Sequence, residues 1–155
     1  MKNDRLKLKN IFQSLPASYL VLRPDLTIVA VTDNFYKLFE ASPKDFIGKN
    51  IFDAFPESKE TAEAHSVGNT IKSFKHVIRY RTPHTIPVQR YDIKLPPRDN
   101  GKFVTRWWRI TNSPVLDDNG ELLYIINAVE DITKMVDVLD EAHLAIKRSA
   151  ANRVK

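Results

Sequence analysis

The groups best suited to metal, acid–base or nucleophilic chemistry in this chain are few and scattered. Four histidines, His65, His76, His84 and His143, stand far apart in sequence, and there is no cysteine. That spacing does not suggest a metal cluster. The missing thiols rule out a disulfide framework, a thiolate metal site and a thioether-linked haem. Glycines at positions 48, 68, 101 and 120 build neither a dinucleotide fingerprint nor a phosphate-binding loop. No Gly-x-Ser-x-Gly elbow and no His-Glu-x-x-His occurs. The adjacent acids Asp117-Asp118 and Glu130-Asp131 fall in a turn and at a strand end, ordinary places for solvated or capping carboxylates. We therefore expect no catalytic residue and no bound metal, and an enzyme only as the alternative reading.

The elements that would position any binding residue are clearer. Leu8, Ile11, Phe12 and Leu15 have helical spacing and end at Pro16. Tyr19–Leu22 and Thr27–Val31 read as a hairpin around Arg23-Pro24-Asp25-Leu26. Thr32 and Asp33 suit the N-cap of a short helix reaching Phe39. Ser42-Pro43-Lys44-Asp45 begins another, with proline at its first position, and Ile51–Phe55 ends at Pro56. A longer helix is expected over Thr61–Tyr80, where Val67, Ile71, Phe74, Val77 and Ile78 form a stripe. Gly68 weakens it by about 1 kcal/mol against alanine.

From Tyr91 to Thr133 the chain reads as three β-type stretches. They are joined by turns at Asp99-Asn100-Gly101 and Asp117-Asp118-Asn119-Gly120, where asparagine, aspartate and glycine tolerate left-handed backbone. Phe103–Val115 is β-branched and aromatic, and Leu122–Val129 is nearly all apolar. Alternation places Trp107, Arg109 and Thr111 on one face and Trp108 on the other. Two early and three late strands most simply make one five-stranded antiparallel sheet with helices on one face, an α+β fold. After Asp131, Ile132, Leu139 and Ile146 recur every seven residues, with Met135 and Ala142 between them. Two heptads fit either a dimeric coiled coil or a helix folded back on its own sheet.

Composition is that of an ordinary globular domain, with 43% hydrophobic and 28% charged residues. The net charge of +5 sits at the ends, +3 in the first ten residues and +4 in the last ten, leaving −2 between. Such charge describes solvated termini and not a nucleic-acid face. No apolar run approaches the ~20 residues of a membrane helix, and the start lacks a signal-peptide core. We expect a cytoplasmic protein that neither inserts in membranes nor binds nucleic acid.

Three segments together carry a family resemblance. "LPASYLVLRPDLTIVAVTDNF", "FIGKNIFDAFP" and "VQRYDI … RWW … NSPVLDDNGELLYIINAVEDIT" resemble, in order and spacing, a PAS domain across about residues 11 to 133. The resemblance is greatest to the PAS domains of bacterial sensor histidine kinases. It implies a helical extension over residues 1–15, a PAS domain over 16–133 and a signalling helix over 134–155. It also implies a sensing and dimerisation module feeding a downstream kinase or other output domain. A PAS interior can hold a small ligand, and Phe35, Phe39, Phe52, Phe74, Ile78, Ile93, Trp108 and Ile126 are candidates to line the cavity, or simply to fill the core. Arg90, Tyr91, Trp107, Arg109 and Asn112 would add polar groups. We expect no cofactor. The resemblance raises haem on His76 and noncovalent flavin as alternatives, while flavin photochemistry through a cysteine is excluded by composition. Asp131 and Thr133 resemble the motif coupling sheet to output helix. Leu8, Ile11, Phe12, Leu15, Ile132, Leu139 and Ile146 are the candidate dimerisation residues of a homodimer. A ligand-free interaction module is the remaining alternative.

Overall fold

The structure, a computed structural model, describes residues 7–56, 66–94 and 100–152, the Lys94 side chain excepted. His65, the expected start of the long helix at Thr61, Asp99 and, of the charged end residues, Lys2, Asp4, Arg5, Arg153 and Lys155 lie outside that set. The elements run α1 (Leu8–Gln13), β1 (Ser18–Leu22), β2 (Ile28–Val31), α2 (Asp33–Phe39), α3 (Pro43–Phe46), α4 (Ile51–Ala54), α5 (Ser66–Tyr80), β3 (His84–Arg90), β4 (Ile93–Lys94), β5 (Phe103–Val104), β6 (Trp107–Leu116), β7 (Leu122–Asp131) and α6 (Thr133–Asn152). Five strands form one antiparallel sheet in the order β2-β1-β7-β6-β3. The expected α+β architecture is present.

Local chemistry explains the boundaries. Pro43 sits at the start of α3 behind a reciprocal capping box, in which Ser42 and Asp45 satisfy each other's backbone N–H groups. The Asp45 carboxyl is held below its usual range by the backbone and then the hydroxyl of Ser42. Thr32 stands at the N-cap of α2, but its hydroxyl works across the chain. It accepts from the Tyr19 N–H at 3.0 Å and donates to the Ala17 carbonyl at 2.8 Å, tying the helix to β1. The β6–β7 hairpin closes on Asp117, whose Oδ1 accepts from the N–H groups of Asn119 and Glu121, with Gly120 at φ +81°.

One face of the sheet and the helices enclose the core: Leu20, Leu22, Ile28, Val31, Phe35, Phe46, Ile51, Phe74, Val77 and Ile125. Each such burial removes a side chain from water, worth about 1.5–3 kcal/mol for the larger ones. A chain of aromatic rings, Phe35, Phe39, Phe46 and Phe55, packs at centroid distances of 4.7 to 6.4 Å.

The late strands differ from the reading of Tyr91–Thr133 as three sheet strands. The edge strand lies upstream at His84–Arg90, including Pro87, which an edge or a bulge tolerates. Ile93–Lys94 and Phe103–Val104 pair only with each other, as a small separate hairpin. Thr105 and Arg106 interrupt what had read as one strand through Val115. Propensity alone could not show which strand Trp107–Leu116 would choose as its neighbour.

Candidate functional site

A cavity of about 90 Å³ lies between the sheet and helices α2, α4 and α5. Leu20, Ile110 and Val129 form its floor on the sheet, with Phe35, Phe39, Ile51, Phe52, Phe55 and Val67 from the helical side. Trp108 closes one end, its ring stacked on Phe39 at 5.4 Å and its indole N–H donated to the Tyr91 carbonyl at 2.9 Å. Tyr91 also lines the wall, its hydroxyl donating to the Pro56 carbonyl. Burial pushes that phenol's pKa above its usual value. Ser66, Thr70, Gln89 and Asn127 complete the lining, which carries no charged side chain.

 Phe35, Phe39, Phe52 and Trp108 line the cavity. Phe74 and Ile78 do not: Phe74 is buried behind Phe52 at 6.2 Å, and Ile78 packs against the core. Ile93 belongs to the small β4–β5 hairpin. Ile126 is corrected by the period-two alternation of β7. Ile125 and Asn127 are buried on the inner face, so Ile126 points to the other side of the sheet.

Sequence reasoning missed the polar part of the wall. Between Ile86 and Gln89 the register of β3 against β6 shifts, Ile86 pairing with Ile110 and Gln89 with Trp108. Simple alternation from Ile86 would turn Val88 inward. The bulge instead leaves Val88 50% exposed and buries Gln89 to 7% exposure. Behind the cavity, Asn127 donates to Asn112 Oδ1 at 2.7 Å, and Asn112 donates to Ser73 Oγ at 2.8 Å. Ser73 Oγ also bonds His84 Nδ1 at 2.9 Å. This buried network links the cavity wall to the start of β3.

His76 is not at the cavity. Its Nε2 bonds Thr82 Oγ1 at 3.0 Å, and its ring packs against Tyr80 and His84. A cavity of 90 Å³ is also well below the roughly 300 Å³ at which pockets for larger ligands begin. Haem and flavin do not fit a cavity of this size. Among the described residues no group of three or more histidines or carboxylates could hold a metal ion.

At the end of β7, where Asp131 pairs with Trp108, Asp131, Ile132 and Thr133 join the strand to α6. Asp131 Oδ1 accepts from the Thr133 N–H at 2.9 Å and from its hydroxyl. Thr133 Oγ1 in turn accepts from the Trp107 N–H at 2.9 Å, and the Ile132 N–H donates to the Trp107 carbonyl. Arg106 approaches Asp131 at 3.5 Å. Ile132, expected on a dimer stripe, is only 6% exposed and is packed into the domain. The helix beyond it buries no residue, with Leu139 at 63% and Ile146 at 68% exposure. Leu8 and Ile11 are exposed on α1, while Phe12 and Leu15 are half-buried.

A five-stranded antiparallel sheet holding a small cavity against short helices, and passing straight into a protruding helix, defines a sensory-module architecture. The chain belongs to the PAS family: a family model described as the PAS fold matches residues 6–132. PAS domains are signal-sensing modules. The chain is similar to the PAS domain of Bordetella pertussis BvgS, with 22% identity, a TM-score of 0.57, and coverage of 92% of this chain and 95% of that one. It is also similar to a sensory box sensor histidine kinase of Vibrio cholerae, with 18% identity, a TM-score of 0.52, and coverage of 81% and 89%. Phototropin-2 of Oryza sativa subsp. japonica is 21% identical over 145 residues, covering 89% of this chain. The chain spans only 14% of that relative's length. Among the described residues, no helix is long and apolar enough to cross a membrane.

Proposed function

We propose that this chain is the sensing and dimerisation module of a longer signalling protein, the input domain of a cytoplasmic sensor histidine kinase. The observation that carries the reading is the Asp131–Thr133 junction, which pins the start of α6 to β6 through Trp107. A shift of β6 relative to β7 would therefore act directly on the first turn of that helix. Met135, Leu139, Ala142 and Ile146 follow one another at spacings of four, three and four residues along it, the pattern of a two-helix seam. Met135, Leu139 and Ile146 are exposed, and a helix with such a stripe gains by covering it with a second copy. Leu8 and Ile11 on α1 extend the same kind of surface.

Sedimentation of the whole chain against a version ending at residue 133 tests this reading. The whole chain should be dimeric and the shortened one monomeric or much more weakly associated. Equal association of the two would overturn α6 as the dimer element.

A further inference from the structure

Two buried polar atoms on the cavity wall have no hydrogen-bond partner among the described residues: Ser66 Oγ and Gln89 Oε1. Their residues are 4% and 7% exposed. The other polar groups there are committed, Thr70 to the Ser66 carbonyl, Tyr91 to Pro56 and Asn127 to Asn112. Leaving a buried polar group unpaired is costly, so an orphan pair in an otherwise apolar wall marks where a ligand's polar end is received. The bulge in β3 is what brings Gln89 to that wall.

We propose that the cavity binds a small neutral molecule with an apolar body and one hydroxyl group, the hydroxyl donating to Gln89 Oε1 and accepting from the Ser66 hydroxyl. This inference rests on the sensor reading above and specifies its ligand class. The volume of 90 Å³ is smaller than the ~150 Å³ cavity that takes the six carbons of benzene, which points to a body of about three or four carbon atoms. The lining supplies no charge to pair with an ionic group, so a carboxylate, ammonium or phosphate would be desolvated without compensation.

The test uses the full chain, ¹⁵N-labelled, and follows the indole N–H signal of Trp108, assigned with Trp107→Phe. Titration with 1-butanol should shift that signal saturably, and butyrate should not. Gln89→Leu should weaken 1-butanol about tenfold, the worth of one buried hydrogen bond, while leaving 1-chlorobutane, which has no hydroxyl, bound at least as well. Ser66→Ala should act in the same direction and serves if the leucine variant fails to fold. The proposal is overturned if 1-butanol gives no saturable shift, if butyrate binds better, or if neither substitution separates the alcohol from the chloride. Dimerisation measured by sedimentation is independent of these titrations, so failure of the ligand class is distinguishable from failure of the sensor reading.

Discussion

The hydroxyl of Thr133, the first residue of α6, accepts the backbone N–H of Trp107, the first residue of β6, at 2.9 Å. That bond crosses from the end of β7 to the neighbouring strand, so the helix start is held by two strands instead of one. Asp131 orients the same hydroxyl from the other side. The junction thus fixes the direction in which α6 leaves the sheet.

Thr133→Ala should lower stability by about 1–2 kcal/mol, because it leaves the Trp107 N–H without its acceptor. Thr133→Ser keeps the oxygen and should recover most of it. Urea unfolding of the three proteins measures the difference; equal losses in alanine and serine would show that the threonine methyl and not its oxygen matters.

Asp131→Ala should fold, at a cost of about 1 kcal/mol, against the 5–15 kcal/mol typical of a domain. In a fusion to the native output domain, that output should become locked or insensitive to the stimulus. Asp118→Ala, in the β6–β7 turn, is the control and should signal normally. Normal switching by the Asp131 variant would make the junction a tether.

Asn112→Leu should cost about 2–3 kcal/mol, because it leaves the buried Asn127 amide without its acceptor and Ser73 Oγ with His84 alone. Chemical denaturation reads this directly. A loss below about 0.5 kcal/mol would mean that the network relaxes onto other partners.

The pH dependence is set in part by Asp92. A two-pronged bond from Arg90, at 2.9 and 2.8 Å, holds its carboxyl below the usual range, against the opposing effect of burial. A folded-state pKa below the unfolded one means that the stabilisation is complete above the ordinary aspartate range and is lost as pH falls through the folded value. Asp92→Asn should therefore melt a few degrees lower than the native protein near pH 7, and the gap should close as the pH is brought below 4. A gap that stays constant with pH would remove Asp92 as its source.

Much was legible in the sequence because it is local. Asp117–Gly120 specified a turn by side-chain acceptors and a glycine at positive φ. Ser42-Pro43 specified a helix start, and Asp131 and Thr133 a strand-to-helix junction. Phe35, Phe39, Phe52 and Trp108 were recognisable as apolar wall by type and placement. What tertiary structure decided is register and partner choice, which depend on energies summed across strands far apart in sequence. Ile126 could not be assigned a face until β7 was paired in register with β1 and β6, since a one-residue slip exchanges the two faces. Ile132 looked like part of a heptad, yet the Trp107–Thr133 bond starts the helix one residue later and leaves Ile132 inside. Gln89 reached the cavity only because two residues of β3, Pro87 and Val88, are accommodated as a bulge against β6. No local pattern carries that information, because a bulge is fixed by how the partner strand's side chains pack.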